Sequence, residues 1–333
     1  MINDLKSINH FLHVSQTKNG VVFDPNKDLW DINDANRRII FDFKKINLDN
    51  KNLYSCKNVF KWYLENHSSR HSENMYKYLK IFCKYISDNF ENKISIITDM
   101  NLINFRGYLG KERDWYLGSL SGFLKKWYEM GDSCITKEAY GYLREIKIKG
   151  NPKGEAIATM DPFIGPFTDI ELELIQTAIN NSYAKNEIKT DDYILIWLFM
   201  IYGSRPIQFA QMKIKDVIFA KRNDSSYEVF LNIPRAKNRK GARSEFKKRI
   251  VPNSFSDLIF NYTEEIKNKF KDIFPNVSEA PLFFNNTSIS YNEDNNYLLK
   301  YHLTTSQLSS KIENVLNHLK LKSERTNDFM HIT

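Results

Sequence analysis

The sequence has few cysteines, and they do not form a recognisable site. Cys56, Cys83 and Cys134 are the three in 333 residues. They are too far apart for a metal-ligand spacing and odd in number for a disulfide framework. We therefore expect each to be a small buried apolar residue in a reducing compartment.

Long apolar runs and nucleotide or metal motifs are also lacking. The longest apolar run, Tyr193 to Tyr202, is too short to cross a bilayer, which takes about 20 such residues. Met1 to His13 have no continuous apolar core and so do not form a signal peptide. No Walker loop, GxGxxG, HExxH or paired-cysteine motif is present. We expect a soluble, cytoplasmic protein that uses no cofactor and no metal and has no membrane partner.

Positive charge is present and is concentrated in one stretch. The chain has a net charge of +8 and a pI of about 9.1, which favour a polyanionic partner. Between Arg235 and Arg249, eight basic residues stand against Glu245 alone, which makes +7 and leaves about +1 for the rest of the chain. The eight are Arg235, Lys237, Arg239, Lys240, Arg243, Lys247, Lys248 and Arg249.

Helical periodicity and breaker residues predict two domains. From Leu53 to about Ile146, apolar residues recur at helical intervals and predict four or five helices in an antiparallel bundle. Three clusters of Pro and Gly between Gly150 and Pro166 then predict a linker. We predict an N-terminal appendage with little regular structure at 1–50, a helical domain at 51–150, a linker at 151–166 and a second domain at 167–333.

The second domain begins and ends with predicted helices. Thr168 and Glu171 form a capping box for a helix to Tyr183. After Asp216 the apolar period changes to two, which predicts short strands at 217–220, 227–233 and 246–251. Further helices follow at about 254–270 and 304–319. The predicted fold class is therefore mainly α with a small antiparallel β-sheet.

The apolar run at Tyr193 leads to a corner that carries an arginine. Gly203 follows the run, and glycine most easily takes the left-handed turn after a helix. Ser204 is a candidate N-cap and Pro206 a candidate first helical residue. Arg205 between them, with free backbone N–H groups beside it, favours a phosphate. The alternative is a surface arginine paired with a carboxylate such as Asp216.

This corner resembles the first arginine box of the tyrosine recombinases, the phage-integrase family. The stretch Tyr-Gly-Ser-Arg-Pro-Ile-Gln-Phe-Ala-Gln-Met-Lys-Ile-Lys-Asp-Val places Gly203, Arg205, Gln208 and Asp216 at the positions of that box. The family more often has Glu where Gln208 stands. The predicted bundle and the α+β domain resemble the core-binding and catalytic domains of the family, so the resemblance runs from about Leu53 to Thr333.

The resemblance implies a site-specific recombinase that cleaves and rejoins duplex DNA through a 3′-phosphotyrosyl intermediate, as a tetramer of protomers on DNA and without a cofactor. Arg205 matches the first phosphate-binding arginine, and Gln208 and Asp216 would be groups that orient it. Lys237 matches the hairpin lysine that protonates the leaving 5′-oxygen, with Arg239 and Lys240 as rivals. The remaining hairpin residues would bind DNA phosphates, or on a plainer interpretation form a solvated basic loop: Arg235, Arg239, Lys240, Arg243, Lys247, Lys248 and Arg249.

The second arginine box of the family and its nucleophilic tyrosine have no match. His331 resembles the approach to that box, His/Lys/Arg-x-x-Arg, but no residue follows it at the required distance. Lys322 and Arg325 satisfy the spacing, yet no tyrosine follows them, and we discount this match. We therefore expect a truncated chain that binds DNA and does not complete strand transfer. The alternatives are a non-catalytic DNA-binding protein that uses the same two-domain clamp, and an unrelated helical nucleic-acid binder.

Overall fold

Helices and small antiparallel sheets make up the computed structural model, which confirms the predicted fold class. The structure describes residues 14–34, 37–90, 93–131, 134–148, 154–221, 227–236, 241–284, 299 and 301–330. The chain divides into two compact units between Pro152 and Lys153. Within the described ranges, no helix combines the length and the apolar character that crossing a membrane requires.

Four helices of the first unit begin at a side-chain cap. Asp49, Ser68, Thr98 and Thr136 each accept a hydrogen bond from a backbone N–H in the first turn of the helix that follows. Ser68 is thus the N-cap of the second helix. The buried side chains include all three cysteines, as predicted. The helices are α1 (Asn50–Asn66), α2 (Ser69–Asn89), α3 (Asp99–Arg113), α4 (Trp115–Glu129) and α5 (Lys137–Glu145).

The N-terminal residues of the first unit are more regular than we expected. Phe41 packs against Phe60 of α1 and Tyr76 of α2, with ring centroids 5.6 and 5.3 Å apart. Trp30 and Phe43 are buried beside it. Ile39 and Phe41 are buried while Ile40 between them is exposed, so the strand has one buried face. The strand pairs are β1 (Ser15–Gln16) with β2 (Val22–Phe23), which are antiparallel, and β3 (Leu29–Asp34) with β4 (Arg37–Asp42).

The second unit contains a sheet flanked by helices. Its strands are ordered β5-β6-β7, are antiparallel throughout, and pair Val217 with Leu231 and Pro234 with Phe246. They lie within one residue of the predicted strands. The strands are β5 (Val217–Lys221), β6 (Tyr227–Pro234) and β7 (Phe246–Ile250). The helices are α6 (Glu155–Ala158), α7 (Asp169–Ala184), α8 (Thr190–Tyr202), α9 (Pro206–Ala210), α10 (Asn253–Phe270) and α11 (Thr305–Leu319).

The core of the second unit lies under α9 and the sheet. Phe209 of α9 is fully buried and contacts Phe199 of α8 edge-on, with ring centroids 4.7 Å apart. Leu231 of β6 and Phe283 belong to the same buried cluster. The described part of the predicted linker, 154–166, lies within this unit. The apolar core therefore supports the corner at which α8 ends and α9 begins.

Candidate functional site

The corner between α8 and α9 has the predicted turn and a different cap. Gly203 is left-handed (φ 54°, ψ 30°) and donates its N–H to the carbonyl of Phe199 at 2.9 Å. The N-cap of α9 is Arg205 rather than Ser204. A residue before proline is disfavoured in the helical region, and Arg205 is extended (φ −72°, ψ 148°). The backbone of Arg205 therefore stays outside the helix that Pro206 begins.

The guanidinium of Arg205 is free for an external anion. Arg205 is exposed, and no described residue pairs with its side chain. The backbone contributes less than the sequence suggested, because Pro206 has no N–H and the N–H of Arg205 is already bonded within the protein. Any phosphate at this corner would therefore be bound chiefly by the guanidinium, which offers two parallel N–H donors.

Gln208 connects this corner to the sheet. Its Oε1 accepts the backbone N–H of Arg205 at 3.0 Å, and its Nε2 donates to the carbonyl of Pro234 at 2.7 Å. Pro234 is the last residue of β6. Gln208 thus fixes the backbone of Arg205 against the strand that leads into the basic stretch.

Asp216 does not pair with Arg205. Its carboxylate accepts the backbone N–H of Lys213 at 2.7 Å and both terminal nitrogens of Arg243, at 2.7 and 2.9 Å. The side chains of Asp216 and Arg243 are 4% and 5% exposed, so the pair is closed to solvent. We predicted Arg243 to contact DNA; in this structure its side chain is instead buried against Asp216.

The described residues of the basic stretch belong to the hairpin of β6 and β7. The N–H of Arg235 donates to the carbonyl of Glu245 at 2.8 Å and continues the pairing beyond the strands. On β7, Lys247 and Lys248 are exposed and Arg249 is half-buried. The ammonium of Lys248 lies 3.9 Å from the ring centroid of Phe230. The positions predicted for the proton donor and its rivals, Lys237, Arg239 and Lys240, lie outside the described residues.

Tyr202 links the end of α8 to the end of the hairpin. Its hydroxyl donates to the carbonyl of Ile250 at 2.7 Å. Burial raises the pKa of Tyr202 to about 12, so the hydroxyl remains a donor even in mildly alkaline solution. Together with Gln208 and Arg243, this bond attaches the Arg205 corner to the hairpin at three places.

Sequence reasoning missed a buried histidine that supports the corner. The Nδ1 of His302 lies 2.8 Å from the carbonyl of Ala210, the last residue of α9. Burial lowers the pKa of His302 to about 3, and the charges of Lys213 and Arg243 act in the same direction. The ring is therefore neutral, and its Nδ1–H donates to Ala210. Its Nε2 is buried without a partner among the residues that the structure describes. No local pattern in the sequence marks His302, because its partner is 92 residues away.

Arg325 is occupied by an internal partner. Its guanidinium hydrogen-bonds both carboxylate oxygens of Glu171, which is 1% exposed. His331 lies outside the described residues.

Comparison with known proteins found similar structures and no sequence relative. No family model matches the chain, and no curated protein matches it. The chain is similar to the crystal structure of XerH site-specific recombinase bound to difH substrate in a pre-cleavage complex, with a TM-score of 0.46, 19% identity and coverage of 85% of this chain and 75% of that one. It is also similar to XerH bound to palindromic difH substrate in a post-cleavage complex, with a TM-score of 0.46, 18% identity and coverage of 86% and 77%.

Proposed function

We propose that this protein is a site-specific DNA recombinase of the tyrosine type that holds a phosphate of duplex DNA at Arg205. The observation that carries the proposal is the exposed guanidinium of Arg205, which has no partner among the described residues, on a backbone that Gln208 links to the basic hairpin. An arginine binds two phosphate oxygens at once and stays charged at any physiological pH. An arginine whose backbone is held beside a row of basic residues suits the sugar–phosphate backbone of DNA.

The remaining roles follow from the resemblance of the sequence. Lys237 would protonate the leaving 5′-oxygen, with Arg239 and Lys240 as rivals, while Arg235, Lys247, Lys248 and Arg249 would bind neighbouring phosphates. Cleavage through a 3′-phosphotyrosyl intermediate also needs a tyrosine nucleophile, and none of the 18 tyrosines matches its position. We therefore assign DNA binding to these 333 residues. The protein would act in the cytoplasm with other protomers on the same DNA.

A salt titration with a labelled duplex of arbitrary sequence tests the binding role. Arg205→Ala should weaken binding and reduce the slope of log affinity against log salt by roughly one, the loss of one phosphate contact. Lys271→Ala removes an exposed charge just after α10 and is the matched control. Equal affinity and slope for the two variants would remove Arg205 from the interface.

A non-catalytic DNA-binding protein with the same contacts is the second candidate. In a polypeptide that includes the nucleophile, Arg205→Lys should lower the yield of covalent protein–DNA adduct far more than it lowers binding. The bidentate contact matters most as charge builds on the phosphorus in the transition state. Tight binding with no adduct on a suicide substrate would favour the non-catalytic candidate.

A further inference from the structure

We propose that Arg243 is a positioning residue for Arg205: it holds α9, and with it the phosphate-binding guanidinium, against the basic hairpin. This role rests on the function proposed above for Arg205. It also explains why the side chain of Arg243 is buried, whereas the basic residues on β7 are exposed or half-buried.

The position of α9 depends on what holds its ends. Five residues form little more than one turn, and so short a helix has almost no stability of its own. The last carbonyl groups of a helix also need partners from outside it. At this end of α9, the carbonyl of Ala210 accepts from His302 and that of Gln211 accepts from Nη1 of Arg243 at 2.5 Å.

Arg243 joins three segments with one guanidinium. Besides the carbonyl of Gln211 after α9, it binds Asp216, the last residue of the turn (Ile214–Asp216) before β5. Arg243 itself lies three residues before β7, in a left-handed conformation (φ 57°) that is costly for a residue with a Cβ. A lysine could not reproduce these contacts, because it lacks the planar fork that bonds two carboxylate oxygens and a carbonyl together.

The other end of α9 is held by the same hairpin. Gln208 binds the carbonyl of Pro234 where β6 ends, and Arg243 approaches from the residues that precede β7. The pairing of Arg235 with Glu245 closes the hairpin between these two anchors. The corner with Arg205 and the strand with Lys247 and Lys248 therefore form one body. A phosphate at Arg205 and phosphates along β7 would be bound at a fixed separation.

The test is a double-mutant cycle on DNA binding with Arg243→Lys, Arg205→Ala and the double variant, each in a salt titration with the labelled duplex. Arg243→Lys conserves the charge, so a lower salt slope reports the loss of a phosphate contact made elsewhere. We expect Arg243→Lys to lower the slope by roughly one in the wild-type background and to leave it unchanged in the Arg205→Ala background. Urea unfolding of the same samples identifies conditions in which every variant is folded, and affinities are compared there.

Two further variants sharpen the cycle. Gln208→Ala cuts the other anchor of α9 without a change of charge, and we expect the same dependence on Arg205. Lys247→Gln is the control for an independent contact, and its effect should be the same in both backgrounds. If Arg243→Lys lowers the slope equally in both backgrounds, or leaves it unchanged, Arg243 does not position Arg205 and this inference is wrong. If Arg205→Ala changes neither affinity nor slope, the phosphate contact proposed for Arg205 is itself wrong, whatever the effect of Arg243→Lys.

Discussion

The guanidinium of Arg325 donates to both carboxylate oxygens of Glu171, at 3.2 and 2.8 Å, across 154 residues of sequence. Glu171 also accepts the N–H of Thr168 at 3.0 Å and the hydroxyl of Ser323, and so caps α7. Arg325 further binds the carbonyls of Met160 and Pro166, at 2.9 and 3.2 Å. Through these hydrogen bonds, Arg325 connects residues 160–166, the start of α7 and the chain after α11 to one another.

Arg325→Ala should lower the free energy of unfolding of the second unit by about 3 kcal/mol, because it leaves a buried carboxylate without its partner. Burial alone would raise the pKa of Glu171, but hydrogen bonds from Ser323 and Arg325 bring it below its usual value. The stability from this lowered pKa is present at neutral pH and is lost as the pH falls below the usual range of a glutamate. Urea unfolding followed by circular dichroism at neutral pH measures the loss.

An exposed ion pair of the same unit is the matched control for this loss. Arg235 lies 3.7 Å from Glu245 with 61% of its side chain exposed. Arg235→Ala should therefore cost less than about 1 kcal/mol. Equal losses for Arg325→Ala and Arg235→Ala would show that Arg325 contributes no more than an ordinary surface charge.

Limited proteolysis should be rapid near the division of the chain and slow at 160–166. Trypsin has targets at Lys149 and Lys153, beside the division after Pro152, and we expect it to release two stable fragments. Chymotrypsin should cut slowly after Phe163, although 66% of that residue is exposed, because Arg325 binds the backbone on both sides of it. Arg325→Ala should accelerate this cut, and Arg235→Ala should not. A rapid chymotryptic cut at Phe163 in the wild type would contradict the tethering of this segment.

Replacing Lys247, Lys248 and Arg249 together with Gln should weaken binding to any duplex and lower its salt slope by between roughly one and three. The full value of three is not expected, because Arg249 is half-buried and Lys248 lies over the ring of Phe230. Lys185, Lys271 and Lys322 are exposed lysines that do not belong to the hairpin, and their joint replacement by Gln is the control. Equal salt slopes for the two triple variants would remove β7 from the interface.

Much of the second unit could be predicted because its signals are local. Val229, Leu231 and Ile233 alternate along β6 with their side chains buried, and the capping box of Thr168 and Glu171 begins α7 as predicted. Gly203 takes the left-handed turn that its position suggested. Each of these outcomes depends on residues within one turn or one strand, where intrinsic preferences and periodicity decide.

The support of the candidate site could not be predicted, because it depends on partners far apart in sequence. The local sequence around the eight basic residues between Arg235 and Arg249 does not set any one of them apart. Arg243 differs from the others because its side chain binds Asp216, which lies 27 residues earlier. His302 is distinguished in the same way by Ala210. The N-terminal strands were missed because the packing of Phe41 on α1 and α2, rather than a strong local pattern, stabilises them.

The neutral state of His302 should make folding sensitive to mild acid. Its pKa in the folded protein, about 3, lies below the ordinary value of 6.5, so the unfolded chain takes up the proton first. The stability that it contributes is complete above that ordinary value and falls as the pH drops towards the folded one. Between pH 7 and pH 5 this group alone should cost about 2 kcal/mol of unfolding free energy.

His302→Gln isolates this contribution from the other titrating groups. Glutamine still offers a donor for the carbonyl of Ala210 and does not titrate, so the variant loses the pH dependence while it can retain the hydrogen bond. Urea unfolding at pH 7 and pH 5 should therefore give a smaller difference for the variant than for the wild type, by about 2 kcal/mol. The variant is expected to be less stable than the wild type at pH 7, because its side chain fills the buried site less well, but that offset cancels when each protein is compared with itself. The same pH difference in both proteins would show that His302 does not set this acid sensitivity and that its ring is not held neutral beside Lys213 and Arg243.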